Sequence, residues 1–128
     1  MNTPVPGSLA WFEVATADPD AAELFYGKLF DWTFAPDPVS AGLGMDYRIT
    51  TGPSVDTPMG GVTKAEEGMP NHAVFYILVA DVAAACATAV ELGGSIVAKE
   101  ESPPAGPAFA YLRDPAGSMF GVFTPPAA

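Results

Sequence analysis

Apolar and polar positions alternate through "LAWFEVAT", residues 9–16, and the alternation stops at Asp18-Pro19. A period of two over this length predicts a strand with one face buried. Asp18 can accept hydrogen bonds from the free N–H groups of a first helical turn, and Pro19 suits the first helical position. A helix is therefore predicted from residue 19, with Ala22, Phe25 and Leu29 sharing one face. The same signals return in "HAVFYILVADVAAACATAVELGGS", which begins at residue 72. Sliding the chain by 63 positions sets Ala10 on Ala73, Phe12 on Phe75, Asp18 on Asp81 and Leu29 on Leu92. Val82, Ala85, Ala89 and Leu92 approximate the stripe of the second helix, and Gly93-Gly94 ends it by permitting positive φ.

Short strands separated by Pro- and Gly-rich turns follow each helix. They are predicted over residues 32–34, 45–51 and 59–63 in the first half, and over 95–99, 109–113 and 119–124 in the second. "DPAG", residues 114–117, reads as a tight turn between the last two strands. "KAEEGMPN", residues 64–71, reads as the linker between halves. The predicted order is β-α-β-β-β, twice, in a single domain over residues 1–128, with modules at about 8–63 and 72–125.

Composition narrows the function classes. Hydrophobic residues make up 49% of the chain, enough for a packed core. Fifteen acidic residues against 5 basic give a formal charge of −10, which argues against nucleic acid or an anionic membrane surface as partner. The single cysteine, Cys86, excludes an internal disulfide and a multi-cysteine metal site. No apolar run reaches the roughly 20 residues that span a bilayer. "MNTPVPGS" has neither the basic nor the apolar segment of a secretory signal, so a cytoplasmic setting is expected.

The order and spacing of "VATADPDAAELFYGKLFDW", "ILVADVAAACATAVELGGS" and "YLRDPAGSMFGVF" resemble the vicinal oxygen chelate superfamily, which includes glyoxalases, extradiol dioxygenases and bleomycin-resistance-type binding proteins. The resemblance covers nearly the whole chain. It implies an α+β fold in which two βαβββ modules form a curved mixed sheet, a cup for a small molecule, with helices outside. Under that arrangement Phe12 and Val14 point to the helix layer, and Leu9, Trp11, Glu13 and Ala15 point into the cup. Glu13 is then a ligand-site acid; otherwise it is a rim residue or the partner of Arg48 or Arg113.

Metal enzymes of the superfamily take a ligand seven residues before each helix-capping Asp and another seven residues after the Asp of the "DPxG" turn. Those positions hold Trp11, Val74 and Gly121, and "MGGVT" in the first module offers no donor. Indole, isopropyl and hydrogen cannot hold a divalent cation. No metal and no cofactor are therefore expected. The only histidine, His72, starts the second-module strand and shares parity with Val74 and Tyr76. The pseudo-twofold symmetry implied by the resemblance brings it near Glu13, as a pair for proton transfer, for ligand anchoring, or for structure alone. Trp11, Glu13, His72, Val74, Tyr76, Met119, Gly121 and Phe123 are the candidate ligand-binding residues, with Glu13 and His72 the candidate catalytic pair. The parity of Tyr47 and Tyr111 stays open. The expected function is metal-free binding of an apolar or aromatic small molecule by a homodimer. The alternatives are a glyoxalase-like lyase, isomerase or cyclase that uses Glu13 and His72 as acid and base or as atypical metal ligands, and a non-catalytic dimerisation module.

Overall fold

The computed structural model describes residues 5–101 and 107–125. Of the N-terminal segment read above for a signal, residues 1–4 lie outside these. The chain divides into two compact units, one running from Trp11 to Ala73 and the other joining the residues up to Ala10 with those from Val74 onward.

The first unit holds β1 (Leu9–Thr16, its first two residues counted with the other unit), α1 (Pro19–Phe30), β2 (Thr33–Pro36), α2 (Pro38–Gly42), β3 (Tyr47–Thr51) and β4 (Pro58–Lys64). Its strands lie in the order β2-β3-β4-β1. β1 runs parallel to β4, with Glu13 beside Gly61, and the other pairs are antiparallel. The second unit holds β5 (His72–Leu78, His72 and Ala73 counted with the first unit), α3 (Val82–Glu91), β6 (Ser95–Glu100), β7 (Ala108–Arg113) and β8 (Met119–Thr124). Its order, β5-β8-β7-β6, repeats the same pattern: β5 runs parallel to β8 with Tyr76 beside Gly121, and the rest is antiparallel. The fold is α+β, built from two βαβββ modules.

Both predicted caps form. Asp18 Oδ1 accepts from the Ala21 N–H at 3.0 Å, and Asp81 Oδ1 from the Ala84 N–H at 3.1 Å. Gly93, at φ +95°, takes the left-handed turn that ends α3. In "DPAG", Asp114 Oδ1 accepts from the Ala116 and Ser118 N–H groups. One short helix was not expected. Asp37 caps α2 by accepting from Ser40 N–H and Ser40 Oγ–H, the same Asp-Pro start that opens α1.

The helix stripes need correction. Leu24, Phe25 and Leu29 of α1 are exposed at 61%, 60% and 58%. The inward face is carried instead by Ala22, Tyr26 and Gly27. Tyr26 stacks on Trp32, which also meets Phe12 and Phe30, and Gly27 lies against the Trp32 carbonyl and the Phe34 ring. With apolar residues all round α1, period alone could not choose the inner face; the Tyr26–Trp32 stack does. In α3, Val82, Cys86 and Ala89 face the sheet and join Ala110, Leu112 and Val122 in a core, whereas Leu92 is exposed at the helix end. Burial pushes the Cys86 thiol up from its ordinary range, which fits an inert packing residue.

Arg48 belongs to the fold rather than to Glu13. It stands across from Val62 on the helix side of its sheet, whereas Glu13 stands beside Gly61 on the other side. Its guanidinium donates to Asp46 at 3.0 Å, Asp20 at 2.8 Å and Glu23 at 3.3 Å, clamping α1 onto β3. Arg113 donates to the Gly117 carbonyl. The Arg48 hydrogen bonds hold the Asp46 carboxyl below its usual range. A depressed carboxyl stabilises the folded state above the unfolded aspartate pKa, near about 4, and loses that contribution as pH falls through the folded value. These carboxylates are largely exposed, so solvent and salt screen them. Arg48→Gln should therefore cost about 1 kcal/mol at neutral pH. In urea titrations the deficit should shrink both below about pH 4 and in 1 M salt. A deficit independent of both would refute the electrostatic account. Among the described residues, no helix is long and apolar enough to cross a membrane.

Candidate functional site

Strand register sorts the side chains into faces. On β1 and its neighbours, Phe12, Val14, Val62 and Thr50 lie on the α1 side, and Trp11, Glu13, Ala15, Gly61, Ile49 and Tyr47 lie on the other. The expected parity of the opening strand holds. Glu13 is only 5% exposed, on the face away from the helix. Among the described residues no buried side-chain nitrogen or oxygen lacks a hydrogen-bond partner, so this carboxylate is not orphaned.

Two residues next to Glu13 define its surroundings. The Trp11 indole N–H donates to the Tyr47 hydroxyl at 2.9 Å. The Tyr47 ring lies over Gly61, the register neighbour of Glu13, and any Cβ at position 61 would fall inside that ring. A glycine inside a strand often marks such a close approach.

The second unit repeats the device. Val74, Tyr76, Met119, Gly121 and Phe123 lie on the helix-free face together with Tyr111 and Phe109. The structure thus gathers onto one face five of the six candidates taken from this module, the sixth being His72 at the start of β5. The Tyr76 ring covers Gly121, where again a Cβ would meet the ring. The Tyr76 hydroxyl donates to the Tyr111 hydroxyl at 2.7 Å, and Phe123 meets the Tyr76 ring edge-on at 6.0 Å. His72 begins β5, is half-buried, and places Nδ1 3.0 Å from the Pro70 carbonyl oxygen. A carbonyl can only accept, so Nδ1 carries the proton and Nε2 is the basic nitrogen of the neutral ring.

Tyr47 and Tyr111, whose parity the sequence left open, lie on these helix-free faces, and Gly61 was not among the sequence candidates. The parity of the two tyrosines depends on where β3 and β7 begin, which turn residues obscure. The Gly-Gly pair of "MGGVT" was the available signal.

Among the described residues, the positions where the resemblance expects a metal's donors do not supply them. Trp11 spends its N–H on Tyr47 and has no lone pair to offer, Val74 has no donor atom, and side chains at 61 and 121 would begin inside tyrosine rings. Among the described residues no group of three or more His, Cys, Asp or Glu could hold a metal ion.

Two repeated βαβββ modules, each with a helix-free face, are the architecture that the sequence resemblance to the vicinal oxygen chelate superfamily implies. Within it, the chain belongs to the glyoxalase-like domain family, which matches residues 11–123. A Mycobacterium tuberculosis protein named as a candidate glyoxylase, CFP32, is 34% identical over 120 residues, covering 93% of this chain and 44% of that protein. The anthracycline biosynthesis protein DnrV of Streptomyces peucetius is 35% identical over 134 residues, covering 96% of this chain and 49% of that one. The chain thus spans about half the length of these curated relatives. Methylmalonyl-CoA epimerase of Streptomyces coelicolor shares the fold at TM-score 0.65 and 16% identity, over 97% of this chain and 98% of that one. A Mn(II)-bound glyoxalase from Novosphingobium aromaticivorans shares it at TM-score 0.58 and 18% identity, over 93% of this chain and 39% of that one.

Proposed function

We propose that this chain is a metal-free member of the glyoxalase-like family that binds an apolar or aromatic small molecule, in the manner of a sequestering protein. The observation that carries this reading is the chemistry of the helix-free faces. Where the family's metal enzymes place donors, this chain has Trp11, bonded to Tyr47 in the first unit, and Val74 and Gly121, on the face that carries Tyr76, Tyr111 and Phe123 in the second. Apolar walls with a few polar groups are what small-molecule sites require. The likeness to anthracycline biosynthesis proteins, at 35% and 27% identity, supports an aromatic ligand.

Two measurements test it. Native mass spectrometry after exposure to a small-molecule extract should show a retained organic ligand. Titration of that ligand should quench emission from wild-type protein and far less from Trp11→Phe, which keeps only Trp32. Failure to retain any organic molecule would refute the proposal. Protein purified without chelator should also carry far less than one equivalent of Zn, Ni, Fe or Mn by elemental analysis. A stoichiometric metal whose removal abolishes ligand binding would refute the metal-free part.

A second reading, an acid–base enzyme on the same scaffold, is favoured by one observation: His72 presents Nε2 as a base while Pro70 fixes its other nitrogen. Turnover of the retained ligand, lost in His72→Ala, would select it. The proposal includes a cytoplasmic homodimer, supported by the exposed Leu24, Phe25 and Leu29 on α1. Sedimentation should show a mass that rises with concentration towards that of two chains. A concentration-independent monomer would refute the dimer.

A further inference from the structure

We propose that the groove between α3 and the sheet of the second unit binds a small organic cation with a flat, fused-ring aromatic body. The groove lies on the helix side of that unit, opposite its helix-free face, and the proposal stands independently of the ligand reading above.

The groove has a volume of about 760 Å³. Small-molecule sites span roughly 300–1,000 Å³. Leu112, Phe120 and Val122 of β7 and β8 form its floor, and Ala85, Thr88 and Ala89 of α3 form its wall. The internal repeat explains why the space exists. In the first unit the rings of Phe12, Tyr26, Phe30 and Trp32 pack together on the helix side. The shift of 63 positions sets these residues on Phe75, Ala89, Gly93 and Ser95. One ring of the four is kept, and Phe75 stacks on Phe120 at 6.1 Å. Val82 and Cys86, both buried, hold α3 to the sheet on the other side of the helix axis from Thr88. The helix therefore does not sink into the space that the small residues leave. What fills the matching space in the first unit is a stack of flat rings, and Phe120 offers the second unit's groove a ring to stack on.

The two ends of the groove set the charge of the ligand. Asp81 caps α3 at one end, and the Asp114-Pro115 turn lies at the other, where Pro115 is the nearest neighbour of Gly93. Arg113 lines the groove beside Asp114 and offsets its charge. Among the described residues no cation pairs with Asp81. The N-terminus of α3 sets only about half a positive charge against that carboxylate. Negative potential therefore remains at the Asp81 end, and a chain of net charge −10 adds to it. A ligand ammonium group complements Asp81, with its rings running along Ala85 and Val122 towards Phe120.

The test uses two probes of one shape, 2-naphthylmethylammonium and 2-naphthylmethanol, in calorimetry on the whole chain. Both should bind, the ammonium about two- to fivefold more tightly, the range of one exposed ion pair. Ala84→Leu and Thr88→Leu add bulk at exposed positions of α3 that line the groove. Each should weaken both probes about four- to fifteenfold, the burial of one or two ring carbons, without lowering the melting temperature. Asparagine caps a helix as well as aspartate does. Asp81→Asn should therefore leave the melting temperature nearly unchanged and remove the preference for the ammonium. If neither probe binds, or if the affinity survives both leucine substitutions, the groove is not a ligand site. If wild-type protein binds the alcohol as tightly as the ammonium, or if Asp81→Asn keeps the preference, the assignment of a cation is wrong. Each of these failures leaves the reading of the helix-free faces standing, because none of the substituted residues lies on them.

Discussion

Leu112→Ala is expected to lower the free energy of unfolding by about 2–5 kcal/mol, the range for truncating a large aliphatic side chain in a packed core. Leu112 is 1% exposed on β7. It stands between Ile96 on β6 and Phe120 on β8, on the sheet face that meets Val82 and Cys86 of α3. The backbone around it is held on both sides by ladder hydrogen bonds, so the space left by the lost side chain cannot close fully. The α3 side of that space is lined by small residues, Cys86 and Ala89, which have little length to extend into it. Urea titration should show a lower midpoint with an unchanged slope. The melting temperature should fall by roughly 3–6 °C for each kcal/mol lost in a domain of this size. Leu43→Ala, at an exposed position after α2, should stay within about 0.5 kcal/mol of wild type. A loss below about 1 kcal/mol for Leu112→Ala would mean that this core does not carry the second unit.

Why parts of this fold are legible in the sequence and parts are not follows from the range of the interactions concerned. Asp18, Asp81 and Asp114 act on backbone groups within four residues, so their local sequences declare them. β1 alternates cleanly because its two faces meet different surroundings, the aromatic cluster under α1 on one side and Tyr47 on the other. The inner face of α1 was misassigned because its selection lies outside the helix, in the stack of Tyr26 on Trp32. Tyr47 and Tyr111 were undecided for a related reason. Their positions are fixed by the cross-strand registers Ile49–Gly61 and Tyr111–Gly121, which no local pattern encodes. The glycines at 61 and 121 read in sequence as missing donors; in the structure they are the seats of two aromatic rings. What the sequence presents as an absence is, in three dimensions, the space that admits another group.

Glu13→Gln and Phe12→Ala, adjacent substitutions on one strand, should fail in opposite ways. Phe12 lies on the α1 side, with its ring against Gly60 and 5.4 Å from the Trp32 ring centre. Truncation empties the contact that joins β1, β4 and the aromatic cluster. Phe12 is half-buried, so a loss of roughly 3 kcal/mol is expected, the low end for Phe→Ala. Glu13 lies on the opposite face beside Gly61 and Tyr47. Glutamine keeps its length and its carbonyl acceptor and removes the charge. If Glu13 anchors a polar group of the ligand, that change removes a charge-assisted hydrogen bond worth about 1.5–3 kcal/mol, and ligand affinity should fall about ten- to a hundredfold. The melting temperature should stay close to that of wild type, because the glutamine can still accept from the groups that now satisfy the carboxylate. His72→Ala should weaken binding in the same direction if the two residues serve one ligand. Chemical denaturation and ligand titration on the same four proteins, wild type included, decide the matter. Should Glu13→Gln unfold the chain as readily as Phe12→Ala, Glu13 is a structural acid. Should it leave both stability and affinity untouched, the opening strand contributes only its indole to the site.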